Sequence, residues 1–264
     1  MRVVMATSAG EVGAVNEDLF VALPQAAVLL DGAGMRGIEE ICRHGVAWYT
    51  ARLGGELIAR LALDDGRELT SIVGEAIGAV ADAHRETCDL GDPSSPSATV
   101  AILRVTAGRA DHFVLGDSVL LLDDVVVHDR REVDVRERFG ADYEAAADGS
   151  REKERAREAY IRELRARRNQ PGGFWLAKED PAAAAEAIIG TRPVADLTDA
   201  VLLTNGASRI VDRFGQTDWP GALAIIRDDG PMEIIRRVRE AERATGVPPD
   251  DATVAHCTDL ANAR

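Results

Sequence analysis

Short Val- and Leu-rich runs arrive in consecutive groups in this chain, and the long amphipathic segments arrive in pairs. Strict alternation of one strand with one helix is absent, which argues against a doubly wound parallel sheet. Strands that follow one another directly pair antiparallel, and each resulting sheet needs something to cover its apolar face. The pattern therefore predicts an α+β architecture: two antiparallel sheets packed together and covered by helices.

The runs themselves can be placed. Residues 2–7, 19–23 and 27–30 read as strands, the last ending at Asp31-Gly32. From about 37 to 63 apolar residues recur at three- and four-residue spacing, which predicts a helix. A second helix carries Leu69, Ile72, Val73, Ala76, Ile77 and Val80 on one face. Strands return at 98–105, 112–115, 119–122 and 125–127, with Gly116-Asp117 and Asp123-Asp124 reading as hairpin turns between them. Asp180-Pro181 reads as a cap and first helical residue, opening a helix over 182–189. Residues 200–203 form a buried strand ending in Thr204-Asn205-Gly206, 231–245 a helix stopped by Gly246, and 252–257 a closing strand.

Residues 129–170 differ from the rest. They are dense in charge, and the helical stripe Ala159, Tyr160, Leu164 is thin, so a solvated surface helix peripheral to the core is expected. The arginines at 162–168 sit among glutamates without interleaved aromatics, unlike a nucleic-acid surface.

Composition narrows the function classes. With 46% hydrophobic and 29% charged residues over 264 positions, the chain is a folded domain rather than a disordered one. Its formal net charge of −14 opposes nucleic-acid backbones and anionic membranes but suits carboxylates that hold divalent cations. Cys42, Cys88 and Cys257 are odd in number and far apart, with no C-x-x-C spacing, so neither a disulfide framework nor a zinc motif is expected. No signal-peptide pattern or membrane-length apolar stretch stands out, and a cytoplasmic location is the expectation.

Acidic residues cluster at the ends of the predicted buried strands: Glu17-Asp18, Asp31-Gly32, Asp117 and Asp250-Asp251. Singly, an Asp-Gly after a strand is a turn. Together, carboxylates gathered by folding are the oxygen donors that Mg2+ or Mn2+ require.

Six motifs, Asn16-Glu17-Asp18, Leu30-Asp31-Gly32-Ala33-Gly34, Ser97-Ala98-Thr99, Leu115-Gly116-Asp117-Ser118, Leu203-Thr204-Asn205-Gly206-Ala207 and Asp250-Asp251-Ala252-Thr253, occur in one order across the chain. Their order and spacing resemble the PPM family, the metal-dependent (type 2C) Ser/Thr protein phosphatases. His44-Gly45-Val46-Ala47-Trp48-Tyr49 and Pro171-Gly172-Gly173-Phe174-Trp175 look like a compact, actinobacterial branch. The resemblance implies a single domain over 1–264, a four-layer α-β-β-α sandwich, and a variable helical flap at about 129–170. It implies two Mn2+ or Mg2+ ions, a weaker third, and a phosphorylated protein or peptide as substrate, with no nucleic-acid or membrane partner. Asp31 would bridge the two ions. Glu17 and the Gly32 carbonyl would serve one ion, and Asp250, rather than Asp251, the other. Asp18 would order water on the ions, and Asp117 would contact the third.

Three departures from the family pattern bear on activity. Asn205 stands where the family carries Asp, removing a negative charge from the cluster. Gly13 stands where a phosphate-gripping Arg is expected, and a Gly cannot replace a bidentate guanidinium. Ala33 stands where many eukaryotic members carry a His. Arg36, Arg43 and His44 are near enough in sequence to reach the site mouth, but none is assigned a catalytic role. Three functions follow from this pattern: an active phosphatase, a pseudophosphatase that binds a partner, and a phosphohydrolase for a small metabolite.

Overall fold

A computed structural model of the chain describes residues 1–34, 41–147 and 149–263. Among the described residues, ten strands form two five-stranded sheets. One has the order β1 (Arg2–Ser8), β10 (Ala252–Thr258), β9 (Ala200–Leu203), β6 (Val119–Leu122), β7 (Val125–His128). The other has the order β2 (Leu19–Leu23), β3 (Ala26–Ala33), β4 (Ser97–Thr106), β5 (Arg109–Leu115), β8 (Ile188–Pro193). Every strand pair is antiparallel.

Side-chain alternation divides each strand between two cores. Ala27, Leu29, Ala101 and Leu103 meet Leu120, Leu122, Leu202 and Ala255 between the sheets. On the outer face of the β2–β8 sheet, Val28, Leu30, Val100 and Ile102 pack under α1 (Gly45–Leu61) and α2 (Leu69–His84). On the other outer face, Val119, Leu121, Val201 and Leu203 pack under α5 (Asn205–Asp212), α6 (Trp219–Asp229) and α7 (Pro231–Thr245). Two sheets with helices outside each make the four-layer sandwich expected from the sequence. No described helix is long and apolar enough to cross a membrane.

Several local expectations are corrected. Gly116-Asp117 is no hairpin turn: β5 and β6 belong to different sheets, so this link crosses the sandwich. Asp123-Asp124 does turn a hairpin, joining β6 to β7. The segment 182–189 is not one helix. Asp180 caps a short 3-10 turn, Pro181–Glu186, by accepting the Ala182 N–H at 2.9 Å, and Ile188 onward is the edge strand β8. Thr204-Asn205-Gly206 is not only a strand end; Asn205 opens α5. The start of the predicted 37–63 helix, including Arg36 just before it, lies outside the described residues.

Residues 129–170 hold α3 (Arg131–Ala145) and α4 (Arg151–Arg167). They are not merely a solvated periphery. Val135 and Leu164 pack on Phe174 and Leu176, with Phe139 and Tyr160 against them, and this small core fixes the pair over one end of the sandwich.

Candidate metal centre

Strand periodicity aims Asp31 into the gap between the sheets. Leu30 faces the helices and Leu29 the inter-sheet core, so the next residue returns to the inner side, at the point where β3 leaves that core. The same count on β9 places Thr204 on the inner side, after Leu202 inward and Leu203 outward.

The two sheets are tied together around these positions. The Asn205 N–H, first in α5, donates to Asp31 Oδ2 at 2.9 Å, and Asn205 Nδ2 donates to Asp117 Oδ2 at 2.8 Å. A carboxylate facing free helix N-terminal amides is favourably placed. Asp18 Oδ2 accepts from Thr204 Oγ1 at 3.0 Å and Thr253 Oγ1 at 2.7 Å, while its Oδ1 is buried without a partner. Asp251 has a structural task. Its carboxylate accepts the Gly10 N–H at 2.8 Å and the Glu17 N–H at 2.6 Å, which straps the 9–18 loop beside the gap.

Two glycines permit the close approaches. A Cβ on Gly32 would meet the Glu17 carbonyl oxygen at 2.6 Å, and one on Gly206 would meet the Asp251 carbonyl oxygen at 1.9 Å. Only a residue without Cβ lets these backbones touch.

Glu17, Asp31, Gly32, Asp117, Asn205 and Asp250 line one cavity of about 390 Å³ at this end of the sandwich. Asp18 stands behind the lining, and Asp251 is turned to its backbone partners. A larger cavity of about 960 Å³ between α3 and α4 shares none of these residues.

The acidic groups resist ionising together. Burial pushes the Asp18 carboxyl up to about 7, with Asp251 and Asp250 adding to the rise against the two threonine hydrogen bonds. Burial likewise pushes Asp117 up to about 7, Glu132 adding to it. Asp31 lies well above the usual carboxylate range, through burial and then through Asp18, Asp117 and Asp250. Glu17 is raised by burial and by Asp251 and Asp250. Mutual repulsion, an all-oxygen donor set and the orphaned Asp18 Oδ1 fit hard divalent cations.

Two features partly satisfy the cluster already. Asn205 hydrogen-bonds Asp117, and Arg209 Nη2 contacts Asp250 Oδ2 at 2.5 Å while pairing with Glu242 at 2.9 Å. Among the described residues, no three carboxylates bring oxygens within 4.8 Å of one another; the single triad that close is Cys42, His44 and Cys88.

Sequence reasoning missed the cationic wall. Arg136 and Arg157, from α3 and α4, and Arg168, just after α4, line the same cavity as the carboxylates. Arg136 is held by Glu132 at 2.6 Å, and Glu132 is itself buried. Gly13, where an Arg was expected, is in the left-handed region at φ 85°, has open space around its Cβ position and does not line the cavity. Nor do Arg43 and His44 line it. The signal that could have found Arg136 is its spacing from Glu132, an i, i+4 pair near the head of a charged helix.

No family model and no curated protein matches the chain. Solved structures do. The chain is similar to the catalytic domain of the serine/threonine protein phosphatase PstP in complex with two manganese ions, at TM-score 0.55, 18% identity and 97% of each chain. It is similar to the serine/threonine phosphatase Stp1 from Staphylococcus aureus, at TM-score 0.58 and 12% identity over 97% of this chain and 94% of that one. It is also similar to PppA of Pseudomonas aeruginosa, at TM-score 0.54 and 14% identity over 97% of each. With two five-stranded antiparallel sheets between helical layers and full-length correspondence to these structures, the chain has the fold of the PPM-type Ser/Thr phosphatases.

Proposed function

We propose that this chain is a metal-dependent phosphatase acting on phosphoserine or phosphothreonine in proteins. The observation that carries the reading is one cavity in which carboxylates drawn from both sheets face arginines from the α3–α4 region. A phosphate ester dianion needs positive charge around its oxygens, and a hard cation needs the carboxylates. The structural likeness to a phosphatase binding two manganese ions supports the same reading.

Asp31, the Gly32 carbonyl, Glu17 and Asp250 would hold two Mn2+ or Mg2+ ions, with Asp117 and Asn205 serving a weaker third. Bound there, divalent cations supply a water nucleophile at near-neutral pH and neutralise phosphoryl charge. Asp18, pinned through one oxygen by Thr204 and Thr253 and with the other buried behind the cavity lining, would act from behind the ligand set rather than touch substrate. Arg136, Arg157 and Arg168 take the role that Gly13 leaves empty, orienting the phosphoryl oxygens through N–H donors. The proton on the leaving serine or threonine oxygen comes from solvent, since Ala33 offers none.

A second reading, a pseudophosphatase that binds phosphoprotein without hydrolysing it, is favoured by the Arg209–Asp250 and Asn205–Asp117 contacts, which offset the charge a cation would otherwise meet. Release of orthophosphate from a phosphoserine peptide, with and without Mn2+, separates the two. Manganese-dependent turnover that disappears in Asp31→Ala supports the enzyme. Peptide binding without turnover in the parent chain supports the binding module.

A further inference from the structure

Away from the acidic cavity, three soft ligand atoms converge. Cys42 and Cys88 are opposite each other in an isolated antiparallel bridge, reinforced by the Asp89 N–H donating to the Ile41 carbonyl at 3.0 Å. Their sulfurs are 3.1 Å apart. His44 Nδ1 lies 3.3 Å from Cys88 Sγ and 3.8 Å from Cys42 Sγ. The imidazole is stacked on Trp48 with centroids 4.3 Å apart, and the His84 ring meets it edge-on at 6.1 Å. Packing therefore fixes the ring with Nδ1 toward both sulfurs. Cys42 is buried, whereas Cys88 and His44 are half-buried, which leaves an entry path from one side.

We infer that Cys42, His44 and Cys88 bind one thiophilic divalent cation, Zn2+, at a site separate from the acidic cavity. Tetrahedral zinc with bonds of about 2.3 Å to sulfur and about 2.0 Å to nitrogen separates its ligands by roughly 3.5–3.8 Å. The present separations of 3.1 to 3.8 Å need only small side-chain rotations to reach that. Two thiolates, a neutral imidazole and Zn2+ sum to zero charge, so the filled site buries no uncompensated ion. Binding releases the two thiol protons. His44 then carries its proton on Nε2, and the long 3.4 Å contact from the Arg43 Nε–H gives way. The fourth position is open to water.

Ligand softness keeps the two kinds of site apart. Thiolate and imidazole select zinc, whereas the all-oxygen cavity selects manganese or magnesium. The consequence is mechanical. Cys42 and Cys88 flank the α1–α2 hairpin, so one ion closes a loop of 46 residues and clamps the helical layer that covers β3.

The test is Co2+ and Zn2+ titration of protein stripped with chelator and kept under a phosphine reductant. One equivalent of Co2+ should give a thiolate-to-cobalt charge-transfer band that one equivalent of Zn2+ abolishes. Cys88→Ser and, independently, His44→Ala should each weaken Zn2+ by at least about 100-fold in competition with a chromophoric chelator. Circular dichroism checks that each variant is folded, and Mn2+ binding should be unchanged in both. Three results would overturn the site: no sulfur-to-cobalt band, a band that persists in both variants, or a mass showing the two cysteines joined despite the reductant.

Discussion

Asn205 Nδ2 donates to Asp117 Oδ2 at 2.8 Å while its own backbone N–H donates to Asp31 Oδ2 at 2.9 Å. A single residue at the head of α5 therefore holds two carboxylates, one at the end of β3 and one in the link from β5 to β6. Replacing its amide by a carboxylate converts an attraction into a repulsion when no cation is present, and adds an oxygen ligand when one is.

Asn205→Asp is therefore expected to lower the melting temperature of metal-free protein and to tighten Mn2+ binding by about tenfold, roughly 1.4 kcal/mol. Turnover at limiting Mn2+ should rise with it. Calorimetric titration and thermal melts in chelator check this. Asn205-Gly206 is prone to deamidation, so intact mass must accompany each measurement. Equal affinity in freshly made parent and variant would remove position 205 from the ligand set.

The arginine wall makes a kinetic prediction. Arg157 is exposed, so Arg157→Ala should leave unfolding unchanged and raise KM for a phosphopeptide by about tenfold, and by about a hundredfold at most, the loss of one charged hydrogen bond being about 1.5–3 kcal/mol. Arg136→Ala should raise KM and also destabilise, because it strands the buried Glu132. If KM is unmoved in both, phosphate is gripped elsewhere.

Gly206→Ala forces a methyl group to 1.9 Å from the Asp251 carbonyl oxygen, and backbone cannot yield as a side chain can. The expected cost is about 1–3 kcal/mol, together with weaker Mn2+ binding as α5 shifts from Asp31. Gly55→Ala is the control. That glycine is exposed within α1 with nothing near its Cβ position, so the change should stabilise by up to about 1 kcal/mol. Urea denaturation in chelator reads both.

Acidity gives a signed prediction. Burial raises Asp117 from an ordinary carboxylate value to about 7 in the folded chain. The folded state therefore holds its proton where the unfolded state has released it, and stability from this group falls as pH rises through that interval. Asp117→Asn keeps an acceptor for Asn205 but has no charge to bury. In chelator, the variant should gain stability over the parent at pH 8 and little or none below pH 4. A gain that is the same at both ends would mean that Asp117 titrates normally.

The parts of the fold that were legible are those whose burial is one-sided or complete. Val119–Leu122 and Ala200–Leu203 are continuous apolar runs and form strands with those bounds. Pro231 and Gly246 mark the start of α7 and its left-handed stop at φ 71°. β8 was hidden because it is an edge strand: Ile188 and Ile189 are exposed, and its alternation does not stand out from the alanine-rich turn before it. The crossing at Gly116-Asp117 was hidden because a turn and a passage between sheets look alike until the partner strands are known. Motif order showed which acidic residues to follow, and five of them, with Gly32 and Asn205, lie at one end of the sandwich. Arg136 had only its local spacing from Glu132 to mark it, while its place in the cavity wall and the pairing of Cys42 with Cys88 depend on contacts between distant segments, for which local sequence carries no period.

In the sheet order, β10 lies between β1 and β9. The first strand of the chain thus has no neighbour to pair with until the last strand has been synthesised. Arg2 finds Thr258, and Ser8 finds Ala252, across nearly the whole sequence. Asp250 and Asp251, which immediately precede β10, arrive together with it. A nascent chain can fold the β2–β5 layer and its helices early, but the acidic cavity and the strap from Asp251 to Gly10 must wait until β10 has been made. Such long-range closure makes folding slow. It also prevents products that lack β10 from presenting the completed acidic cavity.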